Sequence, residues 1–64
     1  MDCDWVFVNQ DRSRDTATLP EPSIPEPGDG KLHNGKGYEV AVVVTGSVRT
    51  PNPIVLAVEF LPRP

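Results

Sequence analysis

Apolar and polar positions alternate with a period of two in two stretches of this chain, the signature of half-buried strands. Residues 38–45 (YEVAVVVT) put Tyr38, Val40, Val42 and Val44 on one face and Glu39, Ala41, Val43 and Thr45 on the other. Residues 54–61 (IVLAVEFL) put Ile54, Leu56, Val58 and Phe60 on one face and Val55, Ala57, Glu59 and Leu61 on the other. The connection 46–53 suits a loose hairpin. A shorter aromatic and β-branched run, residues 5–8 (WVFV), predicts an N-terminal strand. Residues 31–33 lie between the turn dipeptides Asp29-Gly30 and Asn34-Gly35 and fit a very short strand. Residues 9–15 read as a polar loop, and residues 16–18 begin an extended stretch. The expected class is all-β: a small antiparallel sheet built on a hairpin (about 38–45 with 54–61) plus the short strand 5–8, with no helix.

The hairpin register can be weighed from side-chain pairs. If Val44 sits opposite Ile54, a straight ladder sets Val42 against Leu56, Val40 against Val58 and Tyr38 against Phe60. The same ladder sets Glu39 directly against Glu59, and like charges opposite each other are unfavourable. A slip of two residues keeps the faces and separates the glutamates, so the pattern favours the shifted register. The expected small core is then Val40, Val42, Val44, Leu56, Val58 and Phe60. The opposite face, with Ala41, Ala57, Val43 and Val55, is too apolar to stand in water and reads as covered.

Residues 19–30 (LPEPSIPEPGDG) hold four of the eight prolines. Proline fixes φ and donates no backbone hydrogen bond, so this segment is neither helix nor central strand and runs extended, near polyproline II. The chain divides into an N-terminal strand and loop (1–15), a proline-rich strap (16–30) and a hairpin (31–64), together one small β module.

Sixty-four residues bury a smaller share of their surface than a large domain does. Small scaffolds commonly add disulfides, a metal or a partner. Cys3 is the only cysteine and His33 the only histidine, so neither an internal disulfide nor a four-ligand zinc site can be built from them. That leaves self-association or docking on a larger body. The net charge is −3, with six basic residues that do not cluster beyond Arg12 and Arg14, unlike the footprint of a nucleic-acid binder. No apolar run approaches a membrane span, and the acidic start MDCDWVFV is unlike a secretory signal.

Candidate chemistry is sparse. Cys3 lies between Asp2 and Asp4, which disfavour a thiolate, so it reads as a small semi-buried residue. His33 sits beside a turn with no ligand spacing around it. Asp11, Asp15, Glu21, Glu26 and Asp29 do not follow a calcium-loop pattern. Gly35-Lys36-Gly37 is too short for a phosphate loop, and Ser13 and Ser23 have no paired base. Pro22 and Pro25 make one PxxP match, which reads as a structural tether. Residues 32–42 (LHNGKGYEVAV) resemble, over about a sixth of the chain, the Leu-His-Gly-His-x-Tyr-x-Val-x-Val segment of the pterin synthase (tetrahydropterin) family. The second histidine of that pair and the upstream histidine of its zinc site are missing, so the segment reads as a turn followed by a valine strand.

These observations point away from an enzyme and from any cofactor or metal. They point to a structural or accessory protein that docks on a larger assembly through protein contacts or self-association. A virion-associated cement or decoration protein of a virus or bacteriophage, assembled in a cytosol, is the leading example. Nucleic acid, membrane and small-molecule substrate are not expected partners. The competing expectation is a free, acidic, phage-type inhibitor that binds a host enzyme or defence complex. Expected partner-binding residues are Trp5, Phe7, Leu19 and Ile24 as anchors, with Val43 and Val55 on the second face.

Overall fold

A computed structural model of the chain describes residues 1–45 and 51–60. They form five strands: β1 (Asp2–Val8), β2 (Arg14–Pro20), β3 (Gly30–His33), β4 (Lys36–Val44) and β5 (Ile54–Glu59). One sheet holds all five, in the order β2-β1-β5-β4-β3, and no helix is present among the described residues. The protein is all-β. The sheet is mixed, because β1 runs parallel to β5 while the other three pairings are antiparallel. The expectation of a purely antiparallel sheet fails at that one junction, where an Asp4 N–H donated to the Pro53 carbonyl (2.8 Å) opens the ladder.

Local chemistry accounts for the elements. Between β3 and β4, Asn34 and Gly35 have φ of 52° and 76°, the pair of left-handed residues that a two-residue hairpin of the right twist requires. Residues 9–13 join β1 to β2, with Arg12 at a φ of 73° and Asp11 accepting from both the Ser13 N–H (2.9 Å) and its hydroxyl (2.5 Å). Arg14 and Asp15, expected in a loop, belong to β2 and pair with Val8 and Phe7. The expected boundary between residues 15 and 16 thus falls inside a strand. β2 is an edge strand and stops at Pro20, a position where the missing N–H costs nothing.

Residues 21–29 carry the chain from β2 at one edge of the sheet to β3 at the other. Four strand spacings of about 4.8 Å make that crossing about 19 Å in a flat sheet. Nine residues at about 3.1 Å each are long enough to make it extended. The strap therefore serves this chain itself. A Glu21 N–H to the Met1 carbonyl (2.7 Å) holds its start, and Gly28 and Asp29 exchange 2.8 Å bonds with Val40 at its end.

The hairpin register is neither of those weighed from the sequence. Val44 faces Ile54, Val43 faces Val55 and Val42 faces Leu56, but Val40 faces Ala57 and Glu39 faces Val58. Ala41 is the extra residue of a β-bulge. The glutamates are separated by a one-residue bulge rather than a two-residue slip. An odd shift reverses side-chain direction, so Tyr38 and Val40 point to the opposite face from Val42 and Val44.

That reversal decides where the core lies. Cys3, Trp5, Phe7, Tyr38, Val40, Val55 and Ala57 are buried, with Ala17, Leu19 and Val43 packed against them. Of the expected core, only Val40 is buried. Val42, Val44, Val58 and Phe60 are 43–50% exposed, and Leu56 is half-buried. The face expected to be covered is, apart from the exposed Ala41, the interior, and the N-terminal run covers it with Trp5 and Phe7. Leu61, expected at the end of the second strand, lies outside the described residues, as does most of the 46–53 connection.

Candidate interaction surface

The two faces of the sheet offer different chemistry. On the inner face the Phe7 ring stacks on His33 with centroids 4.2 Å apart and touches Tyr38 at 4.7 Å. Phe7 and His33 sit three strands apart, about 14 Å in a flat sheet, so the sheet is curled to bring them together. Trp5 stacks on Phe7 at 5.4 Å, and the Lys31 ammonium lies 5.2 Å from the Trp5 ring centre while pairing with Glu21 at 2.9 Å. Glu21, Pro22, Ser23 and Pro25 of the strap line, with Trp5 and Lys31, a cleft of about 200 Å³. The Trp5 indole N–H is buried and has no hydrogen-bond partner among the described residues.

Polar groups on this face serve the fold. The Tyr38 hydroxyl donates to Asn9 Oδ1 in a buried contact, and Asn9 Nδ2 donates to Ser13 Oγ (3.0 Å) and Asp15 Oδ2 (3.1 Å). Burial pushes the Tyr38 phenol above its ordinary pKa. Burial, then the Glu21 charge, pushes the Cys3 thiol up, which keeps it protonated and unreactive. The Ser13 hydroxyl bond holds the Asp11 carboxyl below the usual range. His33 lies against Phe7, with Nε2 3.4 Å from the Asn34 amide. No three His, Cys, Asp or Glu side chains among the described residues could hold a metal ion.

The outer face is apolar across its middle. Reading across β2, β1, β5 and β4, its rows are Arg14–Val8–Val58–Glu39, Thr16–Val6–Leu56–Val42 and Thr18–Asp4–Ile54–Val44. A further row ends in Phe60, whose ring lies over Gly37, and in Leu32, which is 80% exposed. Val42, Val44, Val58, Phe60 and Leu32 are each at least 43% exposed and make an apolar band of a few hundred Å², on the order of the largest patch of a typical monomer. Threonines on β2 and the charges Arg14 and Glu39 rim it. Asp4, at its end, accepts from the Thr18 hydroxyl (2.9 Å) and the Asn52 amide (3.3 Å). A hollow of about 410 Å³ opens among Asp4, Val6, Thr16, Thr18 and Ile54.

The expected partner-binding residues fall elsewhere. Trp5, Phe7 and Val55 are buried in the chain's own core, Leu19 and Val43 are half-buried against it, and only Ile24, 40% exposed on the strap, faces solvent. The outer-face residues escaped sequence reasoning because both faces of the hairpin strands are apolar. The missed signal lies in size. Ala57 and Val55 leave room over β5 that only aromatic rings can fill, and all the ring-bearing residues of the N-terminal run have the parity of Trp5 and Phe7.

Comparisons of the chain with family models, with characterised proteins and with solved structures return no match.

Proposed function

We propose that the chain is a non-enzymatic accessory protein that docks on a larger protein assembly, of the kind represented by capsid-associated cement proteins, and that it docks through the outer face of its sheet. The observation that carries this reading is the apolar band on that face, which remains exposed after the chain has closed its own core. The largest apolar patch of a small protein is often a functional one. The polar rim around it is the anatomy of a protein interface. The placement of the chemical groups supports the same reading. Cys3 is sealed in the core and His33 lies against Phe7.

The test is sedimentation of an extract of the source material. The wild-type chain is expected to travel with particles far larger than itself, and a Val44→Glu/Val58→Glu variant to remain near the top of the gradient. Wild-type chain found solely at the mass of one or two copies refutes the assembly role.

A further inference from the structure

We infer that the first occupant of the outer face is a second copy of this chain, related by a two-fold axis running along the strands between β1 and β5. The inference rests on the reading of that face as a protein interface and names what covers it while the chain is free: the weak dimer opens when the face docks on the assembly. The argument is one of symmetry. A two-fold axis in the plane of the interface and along the strands keeps each row of the face in place and reverses its order. The row Arg14–Val8–Val58–Glu39 then lies over Glu39–Val58–Val8–Arg14 of the second copy. Arg14 of each copy meets Glu39 of the other, twice per dimer, with valine on valine between them. An axis across the strands would instead set Arg14 over Thr18 and Glu39 over Val44, leaving both charges without partners. Among the described residues the sole ion pair within the chain is Lys31–Glu21, so Arg14 and Glu39 hold no partner there.

Shape agrees with charge. The hollow lies mainly on the β2–β1 side of the axis, among Asp4, Val6, Thr16 and Thr18, with Ile54 of β5 at its border. On the other side stand Val42 and Val44, each about half exposed, 48% and 49%. The same two-fold operation turns Val42 towards Thr16 and Val44 towards Thr18 of the other copy, with the closest approach along β1 and β5 because the curled sheet presents its convex side. Strands of the two copies stay within the roughly 30° of alignment that face-to-face sheets adopt. β3 has no strand opposite it in this arrangement, so Leu32 stays outside the contact. The two buried faces make a small interface, below the roughly 1,200 Å² at which standard stable interfaces begin. The dimer is therefore expected to be weak and reversible, forming towards the upper end of the concentration range.

Sedimentation equilibrium of the purified full chain, from low micromolar to millimolar concentration, tests this. The wild type is expected to pass from one chain mass to two, without higher species. Arg14→Glu and Glu39→Arg alone each replace two attractive pairs by two repulsive ones and are expected to weaken the dimer by about tenfold or more. The double swap Arg14→Glu/Glu39→Arg is expected to recover most of that loss. Val44→Glu is expected to be monomeric throughout with an unchanged circular-dichroism spectrum. A wild type that stays monomeric at every concentration overturns the inference, as does a double swap no tighter than either single variant. Failure here is distinct from failure of the docking function. A monomer that still travels with large particles, and loses them on Val44→Glu/Val58→Glu, keeps that function and gives the face to a different protein. A dimer absent from large particles keeps the inference and removes the assembly role.

Discussion

Replacing Tyr38 by Phe probes a buried polar contact that ties β4 to the end of β1. The ring stays, so packing against Phe7 is preserved, and only the hydroxyl that donates to Asn9 Oδ1 is lost. Asn9 is buried, at 7% exposure, and its amide N–H groups remain engaged with Ser13 and Asp15. Its carbonyl oxygen would stay in place with no donor. A buried acceptor left unsatisfied costs about 1–3 kcal/mol. In a chain of this size each kcal/mol moves Tm by about 4–8 °C, so Tm is expected to fall by about 5–20 °C in a thermal melt followed by circular dichroism. A double-mutant cycle with Asn9→Ala should return a coupling of about 1 kcal/mol, because the two side chains touch each other. The phenol adds a pH arm. Its pKa is raised in the folded chain, so its stabilisation is complete below the unfolded value of about 10 and is lost as pH rises towards the folded value. Tyr38→Phe should flatten that part of the stability curve. A Tm unchanged to within about 1 °C, or no coupling to Asn9, would refute the role given to this contact.

Further outcomes follow from the same geometry. Cys3 should react with a thiol reagent only as fast as the chain unfolds, and labelling of the native protein at the rate of a free thiol would contradict its burial. Lys31→Ala removes both the ion pair to Glu21 and the cation over Trp5, and should cost about 1–2 kcal/mol in urea melts, with part of the loss masked by high salt. Gly37→Ala places a methyl group 2.9 Å from the Phe60 ring tip, so the ring must swing away. The Phe60 ring resonances should shift while the strand resonances stay, at a cost of about 1 kcal/mol or less.

Some of this fold was legible in the sequence, and the limits have physical causes. The alternation in residues 38–45 and 54–61 placed both long strands, and Asn34-Gly35 marked its two-residue turn. β2 showed only as the start of an extended stretch at residues 16–18 because RDTATLP is polar: its outer face carries threonines at the rim of the sheet, and its inner face contributes only Ala17 and Leu19 to the core. The parallel β1–β5 pairing left no local mark, since it depends on where the strap delivers the chain. Proline spacing announced a stiff segment but not its span, and the strap turned out to bridge the two edges of one sheet.

The remaining gap comes down to Ala41. With a straight ladder, Tyr38 and Val40 would join Val42, Val44, Leu56 and Phe60 on one greasy face, and Glu39 would oppose Glu59. One inserted residue removes that repulsion, because Glu39 moves opposite Val58 and Tyr38 opposite Glu59. It also divides the valines of β4 between two tasks. Val40 and Tyr38 turn inward and complete the aromatic core with Trp5 and Phe7. Val42 and Val44 stay outward, over the face read here as an interface. Periodicity in the sequence cannot reveal such a division, because an alanine fits a bulge and a regular strand equally well. The like-charged pair across the hairpin was the local hint that the ladder had to break, and a bulge breaks it while keeping the chain's one tyrosine within reach of Asn9. The same residue thereby sets both what the chain buries for itself and what it leaves for a partner.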